Sequence, residues 1–228
     1  MRIGIIGTGN MGRAIGVRLA QIGHDVLFGS REPQQGQEAA SLAAHGARAG
    51  TNDDAARHGE VLVWTVRDPD PASVLSNPAV LDGKVVANIN NRDYAREVQD
   101  GTWFGPAIAE AFQAHAPRAR VVKALNVVAM EALDTSPDKL RAAGAQVFVA
   151  GNNADAKQVV SGLLGELGFV AVDLGTGPVA FRAAEALGDV VRLLMIGAGR
   201  GGRANLQVRS LPEPDLGSIG QRAASSYR

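Results

Sequence analysis

Cysteine is absent from the 228 residues. Disulfides, thiol nucleophiles and thiolate metal sites are therefore excluded, and a reducing compartment, the cytoplasm, is compatible with the chain. An excess of charge is missing too. Lys and Arg number 23, Asp and Glu 23, so no global field draws the protein to nucleic acid or to a membrane surface. No uninterrupted apolar run approaches the roughly 18 residues of a membrane span. The opening MRIGIIGTGNMG is broken at once by glycine and lacks the charged, apolar and small-residue regions of a signal peptide. Repeats are missing as well. A cytoplasmic protein of one sizeable domain with a small appendage is the expectation.

What is present is an alternation. Short apolar runs at Ile3–Ile6, Asp25–Phe28, Val61–Val66, Lys84–Ile89, Val121–Leu125 and Gln146–Ala150 read as six strands. Between them lie helical patterns: one through about Ile22, GQEAASLAAHG closing on Gly46, Pro106–Pro117 with Pro106 in its first turn, and ADAKQVVSGLLGELG ending at Gly168. This order predicts an α/β fold of Rossmann type, a doubly wound and mostly parallel sheet. From about residue 175 the character changes to one long apolar helix from about Pro178, then GAGRGGR, then NLQVRSLP, which reads as a possible strand. Residues 1–174 are thus expected to form the nucleotide-binding domain and 175–228 a small cap that helps form the acceptor site and a homodimer contact.

GTGNMG supplies Gly7, Gly9 and Gly12 in the G-x-G-x-x-G spacing, after a strand and at the start of a helix. Gly7 permits the turn, Gly9 lets backbone approach a pyrophosphate, and Gly12 lets helix and strand pack closely. At the end of the second strand, where a ribose-binding carboxylate belongs in NAD-binding proteins, the chain reads LFGSREP. Gly29 stands in the expected place. Ser30 can hydrogen-bond and Arg31 can make a bidentate contact to a 2′-phosphate, which selects NADP(H) over NAD(H).

Ligands of such sheets sit at the carboxyl ends of the strands. There the sequence offers Thr65, Val66 and Arg67; Asn88, Asn90, Asn91 and Arg92; and Lys123, Leu125, Asn126 and Val127. Proton donors are scarce among them. His24, His45, His58 and His115 fall at the wrong ends of their elements, and Tyr94 has no lysine four residues on. Lys123 is the one candidate acid, and a strand lysine bonded to a loop backbone explains it equally well. Reducing a ketone or imine calls for a positioned donor. Hydride passing between a nicotinamide and a flavin-like ring calls chiefly for proximity, with Val66, Val127 and Val128 as walls. No catalytic acid or base and no metal ligand is therefore assigned, and Lys123 and Asn126 are kept as positioning residues. In the tail, Arg200 and Arg203 among glycines suit an anionic ligand or a solvated turn. Arg182, Glu185, Asp189 and Arg192 read as a charge network along their own helix.

Taken together, GTGNMG, GSREP, VVKALNVV, FVAGNNADAK and the final helix with its glycines resemble the NADPH-dependent F420 oxidoreductase family over about residues 1–212. The resemblance implies a Rossmann domain with a small C-terminal domain, often a homodimer, and direct hydride transfer between NADP(H) and F420 without an acid–base residue. It also implies that Thr8, Asn10 and Met11 form the pyrophosphate turn and that Ser30 and Arg31 take the 2′-phosphate. The chain departs from relatives at Asn90-Asn91-Arg92, at Asn126 and near Ala186 and Gly188. The function expected is hydride transfer between NADPH and F420 or a flavin-like acceptor. The alternatives are reduction of a small carbonyl or imine, and a non-catalytic NADPH sensor.

Overall fold

The computed structural model describes residues 1–92, 101 and 106–212. Its strands are β1 (Arg2–Ile6), β2 (Asp25–Gly29), β3 (Arg48–Gly50), β4 (Val61–Trp64), β5 (Val85–Asn88), β6 (Arg120–Lys123), β7 (Gln146–Gly151) and β8 (Val170–Asp173). They form one sheet in the order β3-β2-β1-β4-β5-β6-β7-β8. The first six run parallel, while β7 pairs antiparallel with β6, through Val122 with Gly151 and Lys123 with Ala150. The Rossmann-type, mostly parallel sheet expected from the sequence is therefore present, with eight strands rather than six. The two unforeseen strands lie at the edges. β3 is the three residues RAG, with nothing β-branched, and it exists through its pairing with Leu27–Gly29. β8 is VAVD, partly exposed along its length and paired to β7. Neither has the buried apolar run that marks a strand in a sequence.

The helices are α1 (Asn10–Gln21), α2 (Pro33–Ala43), α3 (Asn52–His58), α4 (Ile108–His115), α5 (Met130–Leu133), α6 (Pro137–Ala142), α7 (Ala154–Glu166) and α8 (Gly177–Ile196). Alternating strand residues feed two cores, one on each face of the sheet. Ile3, Ile5, Val26, Phe28 and Val63 pack with α1 and α2, whereas Ile6, Leu62, Trp64 and Val86 pack with α3 and α4. Trp64 meets Phe112 edge-on at a ring separation of 4.7 Å, a favoured aromatic geometry. Gly168 takes a φ of +94° one residue beyond the C-cap of α7, which suits the glycine expected to end that helix.

Two local expectations need correction. Pro106 precedes the N-cap Ala107 and so stands outside the first turn of α4, where Glu110 instead accepts from the Ala107 N–H. NLQVRSLP forms no strand. It is seated by side-chain amides, with Asn205 exchanging hydrogen bonds with the Gln146 backbone and Gln146 with Val208. Tyr94 and residues 221–228 lie outside the described residues.

The reversal at β7 decides where α8 goes. β7 and β8 run opposite to the first six strands, so their carboxyl ends face the far edge of the sheet. α8 starts there, with its Gly177 N–H donating to Asn152 Oδ1 at 2.8 Å. Its 20 residues then span about 30 Å. That length brings Glu185, Gly188, Asp189 and Arg192 back to the carboxyl ends of β5 and β6. Phe181 and Ala184 are fully buried in the same core as β4 and β5.

Candidate functional site

The turn between β1 and α1 is built on steric exclusion. Gly7 has a φ of +96°, which glycine adopts without cost. A Cβ on Gly12 would lie 2.1 Å from the Gly7 carbonyl oxygen, so the helix can approach the strand only without one. Thr65 Oγ1 locks the turn from β4, donating to the Ile6 carbonyl at 2.8 Å with the Gly7 carbonyl 3.0 Å away. Gly9 differs from both: a Cβ there would meet no atom within 4 Å. Its bare face opens onto a groove, beside the first N–H groups of α1, which have no intrahelical acceptors. An open turn, free amides and the positive end of a helix dipole fit a pyrophosphate.

The groove has two halves. The outer half, about 360 Å³, is lined by Gly7, Thr8, Gly9, Ser30, Arg31, Glu32, Gln35, Asn52, Thr65, Val66 and Arg67. Here Thr8 Oγ1 donates to Ser30 Oγ at 2.7 Å, and the Glu32 N–H donates to the same oxygen at 3.1 Å. Ser30 is thereby fixed beside an exposed Arg31. Gly29, which stands where a ribose-binding carboxylate would, also has a packing role. A Cβ on it would meet Asn52 Oδ1 at 2.8 Å and Ala55 Cβ at 2.9 Å, so its bareness seats α3 against β2. The side chain that turns to the groove at this strand end is Ser30. Asn52 is a further residue of this half. It opens α3, is 5% exposed, and carried no sequence signal beyond the preceding Thr51 cap.

The inner half, about 560 Å³, is lined by Gly9, Asn10, Met11, Gly12, Thr65, Arg67, Ile89, Asn90, Asn91, Arg92, Leu125, Asn126, Val128 and Arg192. Leu125 has a φ of +55°, an uncommon conformation for a branched residue. It follows Ala124 at the end of β6 and puts Asn126 at the wall. Asn126 Nδ2 donates to Asn91 Oδ1 at 3.1 Å and to the Ala184 carbonyl at 2.7 Å, while Asn91 Nδ2 donates to the Asn126 carbonyl at 2.6 Å. Gly188 makes this pair possible, since a Cβ there would lie within 2.9 Å of both amides.

Several residues foreseen at the cleft stand behind it. Asn88 is fully buried, accepting from the Asn90 N–H at 3.1 Å, and shapes the loop from below. Val127 turns away into the core and lines a separate cavity of about 120 Å³ with Arg203. Neither Arg200 nor Arg203 lines either half of the groove. Lys123 is 0% exposed, with its ammonium donating to the Asn90 carbonyl and to Glu185 Oε1 at 3.0 Å. Burial pushes its pKa below the ordinary lysine value, against the pull of Glu185.

The charge network expected along α8 reaches beyond its own helix. Glu185 is 1% exposed and accepts from Lys123, from the Ile108 N–H at 2.7 Å, and pairs with Arg92 Nε at 3.1 Å. Asp189 faces Arg92 at 3.9 Å, and burial raises its pKa despite Arg92 and Arg192. Arg182 instead crosses to Glu110 on α4 with two bonds of 2.9 Å. The signal for this in the sequence is two carboxylates on the inward face of an apolar helix, which can be buried only if cations arrive from elsewhere. Among the described residues, no group of three or more His, Asp or Glu could hold a metal ion, and no helix is long and apolar enough to cross a membrane.

This arrangement is that of a dinucleotide-binding module, and comparison with known proteins agrees. Residues 2–92 match the family model described as NADP oxidoreductase, coenzyme F420-dependent. The resemblance drawn from GTGNMG and GSREP therefore holds over residues 2–92. A solved structure from Arthrobacter sp. FB24, provisionally described as an F420-dependent NADP reductase, matches with a TM-score of 0.75 and 28% identity, covering 92% of this chain and all of that one. Metalloreductase STEAP3 of Rattus norvegicus is 29% identical over 175 residues, 77% of this chain and 34% of the relative. The chain thus spans about a third of the length of the curated relatives it matches. An imine reductase from Myxococcus stipitatus, solved with NADP+, shares the fold at a TM-score of 0.58 and 20% identity, covering 88% of this chain and 63% of that one.

Proposed function

We propose that the protein binds NADP(H) along the groove and passes hydride directly between the nicotinamide and coenzyme F420 or a flavin-like acceptor. The observation that carries this reading is the continuity of the groove. Ser30 and Arg31 stand at its outer end, the open face of Gly9 at its middle, and the cleft of Asn91, Leu125, Asn126 and Val128 at its inner end, with Thr65 and Arg67 lining both halves. The 2′-phosphate would meet Ser30 and Arg31, and the pyrophosphate the turn from Thr8 to Gly12. Bound there, the dinucleotide supplies hydride, and the chain's own residues bind and orient. Lys123, with its ammonium buried behind the wall, is a positioning residue that holds the Asn90 loop. Asn126 positions the wall through Asn91.

The reading includes a homodimer. Val179, Ala183, Ala186, Val190 and Leu193 lie on one exposed stripe of α8, which suits burial against a second copy.

The test is to mix the protein with NADPH and either F420 or FMN and to follow both absorbances. Coupled loss of NADPH and of the oxidised acceptor supports the reading. Tight NADPH binding without oxidation by any such acceptor would instead favour a sensor, and turnover of a small imine or ketone alone would favour the other reductase.

A further inference from the structure

Three residues border both halves of the groove: Gly9, Thr65 and Arg67. They mark the passage between the halves, and they differ in what they offer a ligand there. Gly9 has no side chain. Thr65 Oγ1 is spent on the β1 turn, with the Ile6 and Gly7 carbonyls 2.8 Å and 3.0 Å away. Arg67 is exposed, and no described residue hydrogen-bonds or ion-pairs with its side chain. The acids that follow it are engaged with backbone. Asp68 Oδ1 accepts from the Asp70 N–H, and Asp70 Oδ1 from the Ala72 N–H, each at 2.9 Å. Glu32 is the one carboxylate among the described residues lining the groove, and it borders only the outer half. The side chain at the passage that is free to meet a ligand is therefore a guanidinium.

On the reading proposed above, on which this inference rests, the pyrophosphate lies at this passage, beside the turn at Gly9. The turn offers it backbone amides and the partial charge of a helix dipole. A diphosphate carries full charges, and a guanidinium can meet its oxygens in a bidentate, charge-assisted contact. We infer that Arg67 is a cofactor-binding residue that meets the pyrophosphate from the end of β4, while Arg31 serves the 2′-phosphate. The two arginines then have separate effects. Arg31 sets the preference between NADPH and NADH. Arg67 strengthens both dinucleotides alike, because both carry the pyrophosphate.

Calorimetric titration of the full chain with NADP+, with 2′-AMP and with inorganic pyrophosphate tests this. The second probe carries the adenosine and the 2′-phosphate without the pyrophosphate, and the third carries the pyrophosphate alone. Arg67→Gln should weaken NADP+ and pyrophosphate about tenfold or more, the scale of one charge-assisted hydrogen bond, and leave 2′-AMP little changed. Arg31→Ala should divide the two fragments the other way, weakening 2′-AMP and sparing pyrophosphate. Arg67→Lys keeps the charge without the planar fork and should lose less. It also gives a second variant, with a smaller loss in the same direction, should Arg67→Gln fold poorly. Unchanged NADP+ affinity in Arg67→Gln would overturn the inference. So would a loss that falls equally on 2′-AMP, which would put Arg67 at the adenosine end. Should NADP+ not bind the parent chain, the cofactor reading fails alone, and pyrophosphate titrated into the parent and into Arg67→Gln still decides the role of Arg67. No difference between those two would overturn it.

Discussion

Lys123 Nζ lies 3.0 Å from Glu185 Oε1, with the two side chains 0% and 1% exposed. This buried pair joins the end of the parallel sheet to the helix that crosses back from its other edge. Through Glu185 the same contact reaches Arg92 and the N-terminus of α4. The inner wall of the cleft is therefore held by charge as well as by apolar packing.

Removing one partner takes a charge out of a buried network. Lys123→Met should destabilise the protein by about 3–5 kcal/mol, the usual cost of breaking a buried ion pair. Glu185→Leu should cost less on that background than in the parent, because Lys123 is no longer there to lose its partner. Urea unfolding of the two singles and the double measures the coupling. Additive losses would show that the pair does not act as a unit.

The glycines of the turn should separate by experiment. Gly9→Ala has open space before it, so thermal stability should hold while NADP(H) affinity falls. Gly12→Ala brings a Cβ to 2.1 Å from the Gly7 carbonyl, and both stability and binding should suffer. Calorimetric unfolding beside NADP+ titration reads both quantities. Equal stability losses in the two variants would contradict the steric argument.

Acid should loosen the contact between α4 and α8. The hydrogen bond from Arg182 holds the Glu110 pKa below the ordinary carboxylate value, although burial opposes it. A lowered folded-state pKa means that the unfolded chain binds the proton more readily. The stabilisation is present above the unfolded value and is lost as pH falls through the folded one. Arg182→Gln should therefore flatten the dependence of stability on pH in that acid window and leave its slope near neutrality unchanged. Asp189, whose pKa is raised by burial, contributes with the opposite sign: native binding of the proton is the tighter, so its contribution falls as pH rises above the ordinary carboxylate value. Denaturant unfolding across the acid range resolves the two.

The stripe on α8 gives a prediction on assembly. Leu193→Asp puts a charge on its exposed apolar face and should shift the protein from dimer to monomer in sedimentation velocity, with helix content retained. A monomeric parent chain would remove the dimer from the account.

The parallel core of the fold was legible in the sequence because β1, β2, β4, β5 and β6 carry buried apolar runs between helical patterns. The edge strands were not, since RAG and VAVD depend on pairing rather than on composition. The turn of Gly7, Gly9 and Gly12 was legible because its spacing is itself the geometry. That Ser30 and Arg31 line the groove was legible because they stand at the end of a strand, yet the packing role of Gly29 was not, because the helix it admits arrives from residues 52–58. The inner cleft was least legible. Whether Glu185 and Asp189 face their own helix or a distant Arg92 depends on the reversal of β7, which no local pattern announces.

The central claim is that this groove reads the 2′-phosphate through Ser30 and Arg31. Titration of the protein with NADPH and with NADH, followed by the fluorescence of the bound dinucleotide, tests it most directly. The account predicts that NADPH binds about tenfold tighter or more and that Arg31→Ala removes most of the difference, on the scale of one charge-assisted contact. Equal affinity for the two dinucleotides in the intact protein would contradict it.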